Sequence, residues 1–368
     1  MVFALWALKT YAVMLTKFGP STGVRWCRFF PQLSDTLRII KATMDDGYAI
    51  PIMPALVNYY GKALPPVTGM WLFGTPSLVF NRVVALDEIY VTKNKFHTKH
   101  ENERIYSAPL LYNNIVSMDT ADPQYKKKRK VLSGAFFKNK IRAMMHIVKS
   151  TSLTLFKSIQ DSAVDGKSEQ DLVKLTSKLQ NHIITNVLLG EGESFKKLEF
   201  VHPDGHTEMV ELADFIDLVF ELFTKRIQDN IFVVLAPTLF QYSITKSDAA
   251  FFTNCETMRT EIRKICQRRK DGIAGGLAVG EEKDIISILV WDENYTNIED
   301  VVDDVIVMFV AGTKTVQGTT TNFLGHYVNR PEFREKLHAE IDPIVNKVKH
   351  DFVNAYAFEM TEDLEYTK

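Results

Sequence analysis

From Val305 to Ala311 seven consecutive residues, Val305, Ile306, Val307, Met308, Phe309, Val310 and Ala311, carry no polar side chain. A helix of this composition leaves no face for water, so other elements must cover it, and that requirement restricts the fold more than any other stretch does. The flanks predict one long helix from Asn297 to Arg330. Asn297 is placed to cap its start, and Glu299, Asp300, Asp303 and Asp304 put negative charge at the positive end of the helix dipole. Pro331 biases Arg330 away from helical geometry and can itself open the next helix. About 30 residues at ~1.5 Å each make a rod of roughly 45 to 50 Å, long enough to cross a whole domain.

The chemistry changes at the middle of this helix. Gly312 costs about 1 kcal/mol relative to Ala in a helix interior, and Thr313, Thr315, Thr319, Thr320 and Thr321 are indifferent helix formers. Two readings follow. Ala311 and Thr315 share a face, and a Thr hydroxyl bonded to the carbonyl four residues back bends a helix and opens a groove for a small ligand. Alternatively, Gly312 lets a neighbouring helix approach and the threonines satisfy themselves on local carbonyls.

Ala311-Gly312-x-x-Thr315 after a bulky apolar run, then Asn329-Arg330-Pro331 and the amphipathic Glu332 to Leu337 segment, resembles the central helix of the cytochrome P-450 monooxygenases. The resemblance implies that this helix passes over a heme, with Thr315 beside bound dioxygen, Gly312 and Ala311 against the cofactor, and Phe309 lining the substrate pocket. One departure stands out. The family usually carries an acid before the Thr, and this chain has Lys314.

The totals exclude other classes. A net charge of −1 lacks the basic excess of a dedicated nucleic-acid binder. Cys27, Cys255 and Cys266 are too few and too scattered for a disulfide framework, and no Cys/His spacing resembles a zinc site. A reducing compartment is the simpler reading.

Met1 to Thr16 is apolar apart from Lys9 and Thr10, and Lys17, Arg25 and Arg28 follow. A spanning helix needs ~20 apolar residues, so residues 1–18 read as a short anchor, an interfacial helix or the first amphipathic helix of the domain. Residues 19–368 read as the domain itself. Val67 to Phe73 and Leu78 to Phe80 around Gly74-Thr75-Pro76 predict a hairpin, the one clear strand signal, followed by a helix from Leu86 to Phe96. His97 to Thr120 reads as loop. In the resembled family this region lies over the heme, which makes Leu110, Ile115 and Val116 substrate-pocket candidates; anchoring of a surface loop explains them equally.

Asp122-Pro123 starts a helix that carries Lys126, Lys127, Lys128, Arg129 and Lys130. Tyr125, Arg129 and Leu132 share a face, so Arg129 is expected to be partly buried and to need an anion. The resembled family has Trp-x-x-x-Arg here, which would give Tyr125 and Arg129 a heme propionate to hold, and the outward lysines would receive an acidic redox partner. Further helices are expected over Ser168 to Gly190, Glu211 to Leu222 and Phe251 to Asp271, with Phe195 to Glu208 as loop. The apolar Ile231 to Phe240 stretch suits a substrate lid, membrane contact or core packing. Asp271 to Glu282 is Gly-rich and matches neither a dinucleotide fingerprint nor a P-loop, so electrons would come from a separate reductase.

The resemblance also implies a Glu-x-x-Arg helix, an aromatic Pro/Arg segment and a Cys loop ligating iron, and none of these is found before Lys368. Glu101 with Arg104 and Glu256 with Arg259 have the first spacing in the wrong context. The expected fold is therefore mainly α: a P-450-like single large helical domain with a small N-terminal β-sheet, its C-terminal part missing. The expected function is heme-dependent insertion of one dioxygen atom into a small apolar organic substrate, at the cytoplasmic face of the endoplasmic reticulum membrane or otherwise in the cytoplasm. By this reading the chain is truncated and inactive by itself. The alternatives are a non-enzymatic helical protein binding a lipid-like ligand and a decayed gene product.

Overall fold

A computed structural model of the chain describes residues 25–26, 66–72, 75–93, 96–97, 108–161, 163, 169–229, 241–274 and 284–348. The expectations placed on residues 1–18, on the apolar lid stretch, on the Gly-rich loop and on the residues after 348 lie outside these. The chain forms two compact units, one of residues 1–108, 119–121 and 222–248, the other of residues 109–118, 122–221 and 249–368.

In the first unit, strands β1 (Arg25–Trp26), β2 (Val67–Leu72) and β3 (Thr75–Phe80) form a sheet in that order. The hairpin is the one read from the sequence, with Val67 opposite Phe80 and Leu72 opposite Thr75. The parallel edge strand β1 carries too few residues to signal itself. The following helix begins earlier than Leu86 and ends before Phe96: α1 (Val83–Asp87) runs on as a π-helical turn over Glu88–Thr92.

The second unit is helical and holds most of the buried core. Helix α2 (Pro123–Ala135) starts where Asp122 accepts a hydrogen bond from the Gln124 N–H. After α3 (Lys138–Asp161) comes α4 (Leu172–Leu189), capped by Asp171 and stopped by Gly190 at φ 114°. Gly190 is required twice over, by that left-handed backbone and by Arg269, whose guanidinium bonds the Leu189 carbonyl and leaves no room for a Cβ.

The segment expected as loop from Phe195 to Glu208 is instead a second hairpin, β4 (Lys197–Val201) and β5 (Thr207–Glu211), paired from Lys197↔Glu211 to Val201↔Thr207. Its strands hide in the sequence because one face is charged; Phe200 alone is fully buried, stacking edge-on to Phe215. The Pro203-Asp204-Gly205 signal marks the turn of this hairpin, with Gly205 at φ 95°. Helices α5 (Leu212–Asp229), α6 (Lys246–Ala274) and the short α7 (Ile285–Trp291) follow.

The expected single rod from Asn297 to Arg330 is two helices, α8 (Ile298–Gly312) and α9 (Lys314–Asn329), separated by Thr313 at φ −86°, ψ −74°. Asn297 caps α8 as read, accepting from the Glu299 N–H at 3.1 Å. The i to i−4 ladder survives across the break through Thr313 N to Phe309 O and Gln317 N to Thr313 O. Arg330 is extended, and Pro331 opens α10 (Pro331–Val348). Within the second unit α3, α7, α8 and α9 all pack on α4. The organising element is thus α4, whose buried face is largely polar, with Thr176, Asn181, His182, Thr185 and Asn186. Apolar periodicity does not reveal such a face, because its hydrogen-bond partners lie on other elements.

Candidate functional site

Helix α8 changes character along its length. Val305, Ile306, Val307 and Phe309 are buried as the sequence requires, whereas Val310 and Ala311 are exposed, against the expectation that the whole run is covered. Thr313 and Thr315 turn their hydroxyls back onto the Phe309 and Ala311 carbonyls at 3.0 and 2.6 Å. Two back-bonded hydroxyls just after Gly312 account for the interruption, since each tilts a carbonyl away from the regular ladder. Gly312 has a packing reason of its own. A Cβ there would stand 2.8 Å from Cδ1 of Ile184 on α4. Thr319 likewise bonds back to the Thr315 carbonyl, and two threonines join α9 to α4: Thr321 meets Thr176 at 2.6 Å and Thr320 accepts from Gln180 at 3.4 Å.

The result is a strip, Val310, Ala311 and Thr315, exposed at the junction of two helices. Lys314 beside it is drawn elsewhere, its ammonium 2.5 Å from the Asp217 carboxylate of α5, which also accepts from Ser177.

The acidic start of α8 does more than complement the helix dipole. Asp303 accepts from the backbone N–H groups of Tyr112 and Asn113 at 3.2 and 2.6 Å, Asp304 from that of Ile115 at 2.7 Å, and Asp300 from the Asn113 side chain at 2.8 Å. These carboxylates therefore fix the 109–118 segment to the central helix. Their charge is balanced from two sides. Arg259 of α6 meets Asp303 at 2.5 Å and Glu299 at 2.7 Å, and also bonds the Leu110 carbonyl. Lys128 of α2, its side chain 2 % exposed, lies 3.2 Å from Asp300 and 3.4 Å from Asp304, donates to the Asn113 carbonyl, and sits 5.4 Å from the Tyr295 ring centroid.

Burial pushes the Asp304 carboxyl up, opposed by Lys128, by the Tyr295 hydroxyl and by the Ile115 amide. Burial and the adjacent Asp304 charge push the Tyr295 phenol up in turn, so it stays a hydrogen-bond donor at 2.7 Å. Glu299 is held below the usual range by its hydrogen bond to Arg263, against burial, with Arg259 adding to the effect. For Arg259 burial opposes the charge, but Asp303 and Glu299 outweigh it and hold the guanidinium charged.

One sequence expectation is corrected here. Arg129 is exposed rather than partly buried, and its neighbour Lys128 takes the inward place. The buried seam of α2 is Lys128, Val131, Leu132 and Ala135, with Tyr125 half-buried at its edge. Arg259, whose spacing from Glu256 occurs in the wrong context, pairs with Asp303 and Glu299, while Glu256 lies 3.6 Å from Arg263. Of the pocket candidates, Leu110 and Phe309 are 0 % exposed and belong to the core, Ile115 is half-buried and Val116 is exposed. Lys128, Arg259 and Tyr295 were missed by sequence reasoning. The four acids of α8 were the available signal, because carboxylates followed at once by a buried run must themselves find donors.

A heme implied by the sequence resemblance can be tested against these residues. The strip at Val310, Ala311 and Thr315 offers a small, partly apolar surface for a flat apolar group, and exposed Arg129 has its guanidinium accessible to a carboxylate. The described cysteines do not fit as ligands to iron. Cys255 and Cys266 are buried inside α6, and burial pushes the Cys266 thiol up to about 12, far from a thiolate.

A family model described as cytochrome P450 matches residues 51–368. Cytochrome P450 monooxygenase 91 of Postia placenta is 21% identical over 292 residues, covering 73% of this chain and 52% of that protein. The chain thus spans about half the length of this curated relative. Among solved structures, a zebra fish cytochrome P450 determined with progesterone superposes with a TM-score of 0.60 at 15% identity, covering 85% of this chain and 66% of the other. The heme domain of a cytochrome P450DA mutant gives a TM-score of 0.64 at 12% identity, covering 88% and 65%. These likenesses bear on the fold, and they match its helical body with small sheets.

Proposed function

The chain belongs to the cytochrome P450 family, and on that premise we propose that its residues form the oxygen-side face of a heme-dependent monooxygenase acting on a small apolar organic substrate. The observation that carries this reading is the open strip of Val310, Ala311 and Thr315, where α8, buried in its first half, meets α9. The exposure that starts at Val310 continues along α9, where no residue is buried and Val316 and Phe323 also face outward, so the strip opens a longer uncovered face on which an apolar group can lie.

Heme, when bound, supplies the activation of dioxygen. The chain's own contribution is steric and electrostatic. Ala311 keeps the strip low so that a planar group can lie on it, and Gly312 holds the strip against α4 through its contact with Ile184. Thr315 rests its hydroxyl proton on the Ala311 carbonyl, which leaves its oxygen lone pairs free to accept. Lys314 stands where the resembled motif has an acid, and its ammonium is committed to Asp217, so proton handling beside the strip falls to Thr315 and to solvent. Arg129 is the candidate for a propionate. Lys126, Lys127 and Lys130, all exposed on α2, present the positive face that would steer an acidic electron donor. Membrane contact through residues 1–18 completes the proposal.

Hemin titration of the purified chain tests it. We expect a saturable Soret change that Ala311→Trp abolishes by filling the strip and that Arg129→Ala weakens. A Soret change absent from the wild type, or indifferent to Ala311→Trp, would overturn the reading.

A further inference from the structure

Away from the strip, three side chains from three elements converge: His182 of α4, Glu211 at the end of β5 and Asp214 in the first turn of α5. One ligand atom from each lies within 4.8 Å of the other two. His182 is fully buried, and its Nε2 has no hydrogen-bond partner. The nearest charged atom is Oε2 of Glu211 at 3.4 Å, longer than a normal N–H···O hydrogen bond. That spacing has another meaning. Two ligand atoms, each about 2.0 to 2.1 Å from a tetrahedral zinc, stand roughly 3.4 Å apart.

From this geometry we propose that His182, Glu211 and Asp214 bind a divalent transition-metal ion of the zinc class that ties the second hairpin and the start of α5 to α4. The surroundings suit the role. The Nδ1 of His182 lies 3.0 Å from the Ser194 hydroxyl, whose backbone N–H is itself fixed by Asn186 at 3.0 Å, and the Phe195 ring centroid lies 4.7 Å from the imidazole. A Nδ1–H donated to Ser194 selects the tautomer whose Nε2 lone pair points at the carboxylates. One neutral imidazole and two carboxylates compensate a doubly charged ion, so the filled site carries no net charge into the interior. The donor set of nitrogen and oxygen favours zinc or a similar ion over calcium or magnesium.

A second cluster, His202, His206 and Glu208, lies on the exposed turn of the same hairpin and serves as the control. Its two imidazoles stack at 3.9 Å, and His206 is already hydrogen-bonded to Asp204 at 2.7 Å. The experiment uses the full chain stripped with chelator and titrated with Zn²⁺ by calorimetry, and with Co²⁺ by visible absorption. We expect one tight Zn²⁺ per chain and a Co²⁺ spectrum of low coordination number. The near-isosteric Glu211→Gln/Asp214→Asn variant should bind more than about 100-fold more weakly, beyond the effect of losing an outer-shell partner. His202→Ala/His206→Ala should bind as the wild type does. Far-UV circular dichroism of each variant separates lost binding from lost fold, and single Asp214→Asn provides the milder change should the double variant unfold. Absence of stoichiometric Zn²⁺, unchanged affinity in a folded Glu211→Gln/Asp214→Asn, or loss of binding in His202→Ala/His206→Ala would each overturn the proposal and leave His182–Glu211 as a plain polar contact.

Discussion

Replacing Lys128 by Met keeps most of its volume and removes only the charge that the acidic start of α8 faces. At 3.2 and 3.4 Å from Asp300 and Asp304, the ammonium gains roughly 5 kcal/mol of gross attraction to each carboxylate at an effective dielectric of ~20. Desolvation of a side chain only 2 % exposed cancels much of that. Removing one partner of such a buried set nonetheless costs about 3 to 5 kcal/mol, because Asp304, itself fully buried, keeps its charge without compensation. That is a large part of a typical folding stability of ~5 to 15 kcal/mol. The pH dependence has a definite sign. Burial already raises the Asp304 pKa and Lys128 opposes that rise, so Lys128→Met raises it further. Above the ordinary carboxylate value of 3.8 the native variant then binds a proton that the unfolded chain does not. Relative to wild type, the variant's stability therefore recovers as pH falls from neutral toward that value. Urea unfolding followed by far-UV circular dichroism, between about pH 5 and pH 7.5, measures the difference. Asp304→Asn added to Lys128→Met should relieve most of the penalty, since the fully buried carboxylate that lost its cation is gone, while Asp303 keeps Arg259. A penalty below about 1 kcal/mol, a penalty flat across pH, or a double variant worse than the single one would refute the charge-compensation argument.

Gly312→Ala should be close to neutral, because a helix-propensity gain of about 1 kcal/mol offsets the displacement of the Ile184 methyl, whereas Gly312→Val should cost about 1 to 3 kcal/mol and be partly rescued by Ile184→Ala, as thermal unfolding would show. Lys314→Asp sets two carboxylates against each other at a half-exposed site; the expected loss is about 1 kcal/mol, smaller in high salt and restored by Asp217→Lys in the same chain, and a salt-independent loss would contradict the pairing. Arg259→Gln removes the cation shared by Asp303 and Glu299 and the donor to Leu110, so amides of Tyr112 and Asn113 should exchange hydrogen faster while those of α4 do not; uniform acceleration would mean global destabilisation instead.

Much of the fold was legible because it is locally encoded. Asp122 with Pro123, Asn297, Gly190 and Pro331 mark helix ends by cap chemistry that acts within a few residues, and the β2–β3 hairpin shows itself by two strand-forming runs around a Gly/Pro turn. The run from Val305 likewise announces a buried helix, and the residues around Gly312 announce an interruption. The second hairpin was not legible, since a strand that buries only Phe200 on one face looks like a polar loop until α5 is packed against it.

By itself, then, the sequence determined a helical protein with a small sheet and a weak point at Gly312 to Thr315, because propensity, capping and apolar period are properties of neighbouring residues. Tertiary structure alone decided which cation of the 126–130 run turns inward, which acids receive it and where α8 ceases to be covered. Lys128 and Arg129 are one residue apart and differ by about 100° around the helix, so the choice between them rests on where Asp300 and Asp304 stand, far along the chain. The same holds for His182, whose two carboxylate neighbours come from a strand end and a helix start that only the packing of the hairpin against α4 brings together.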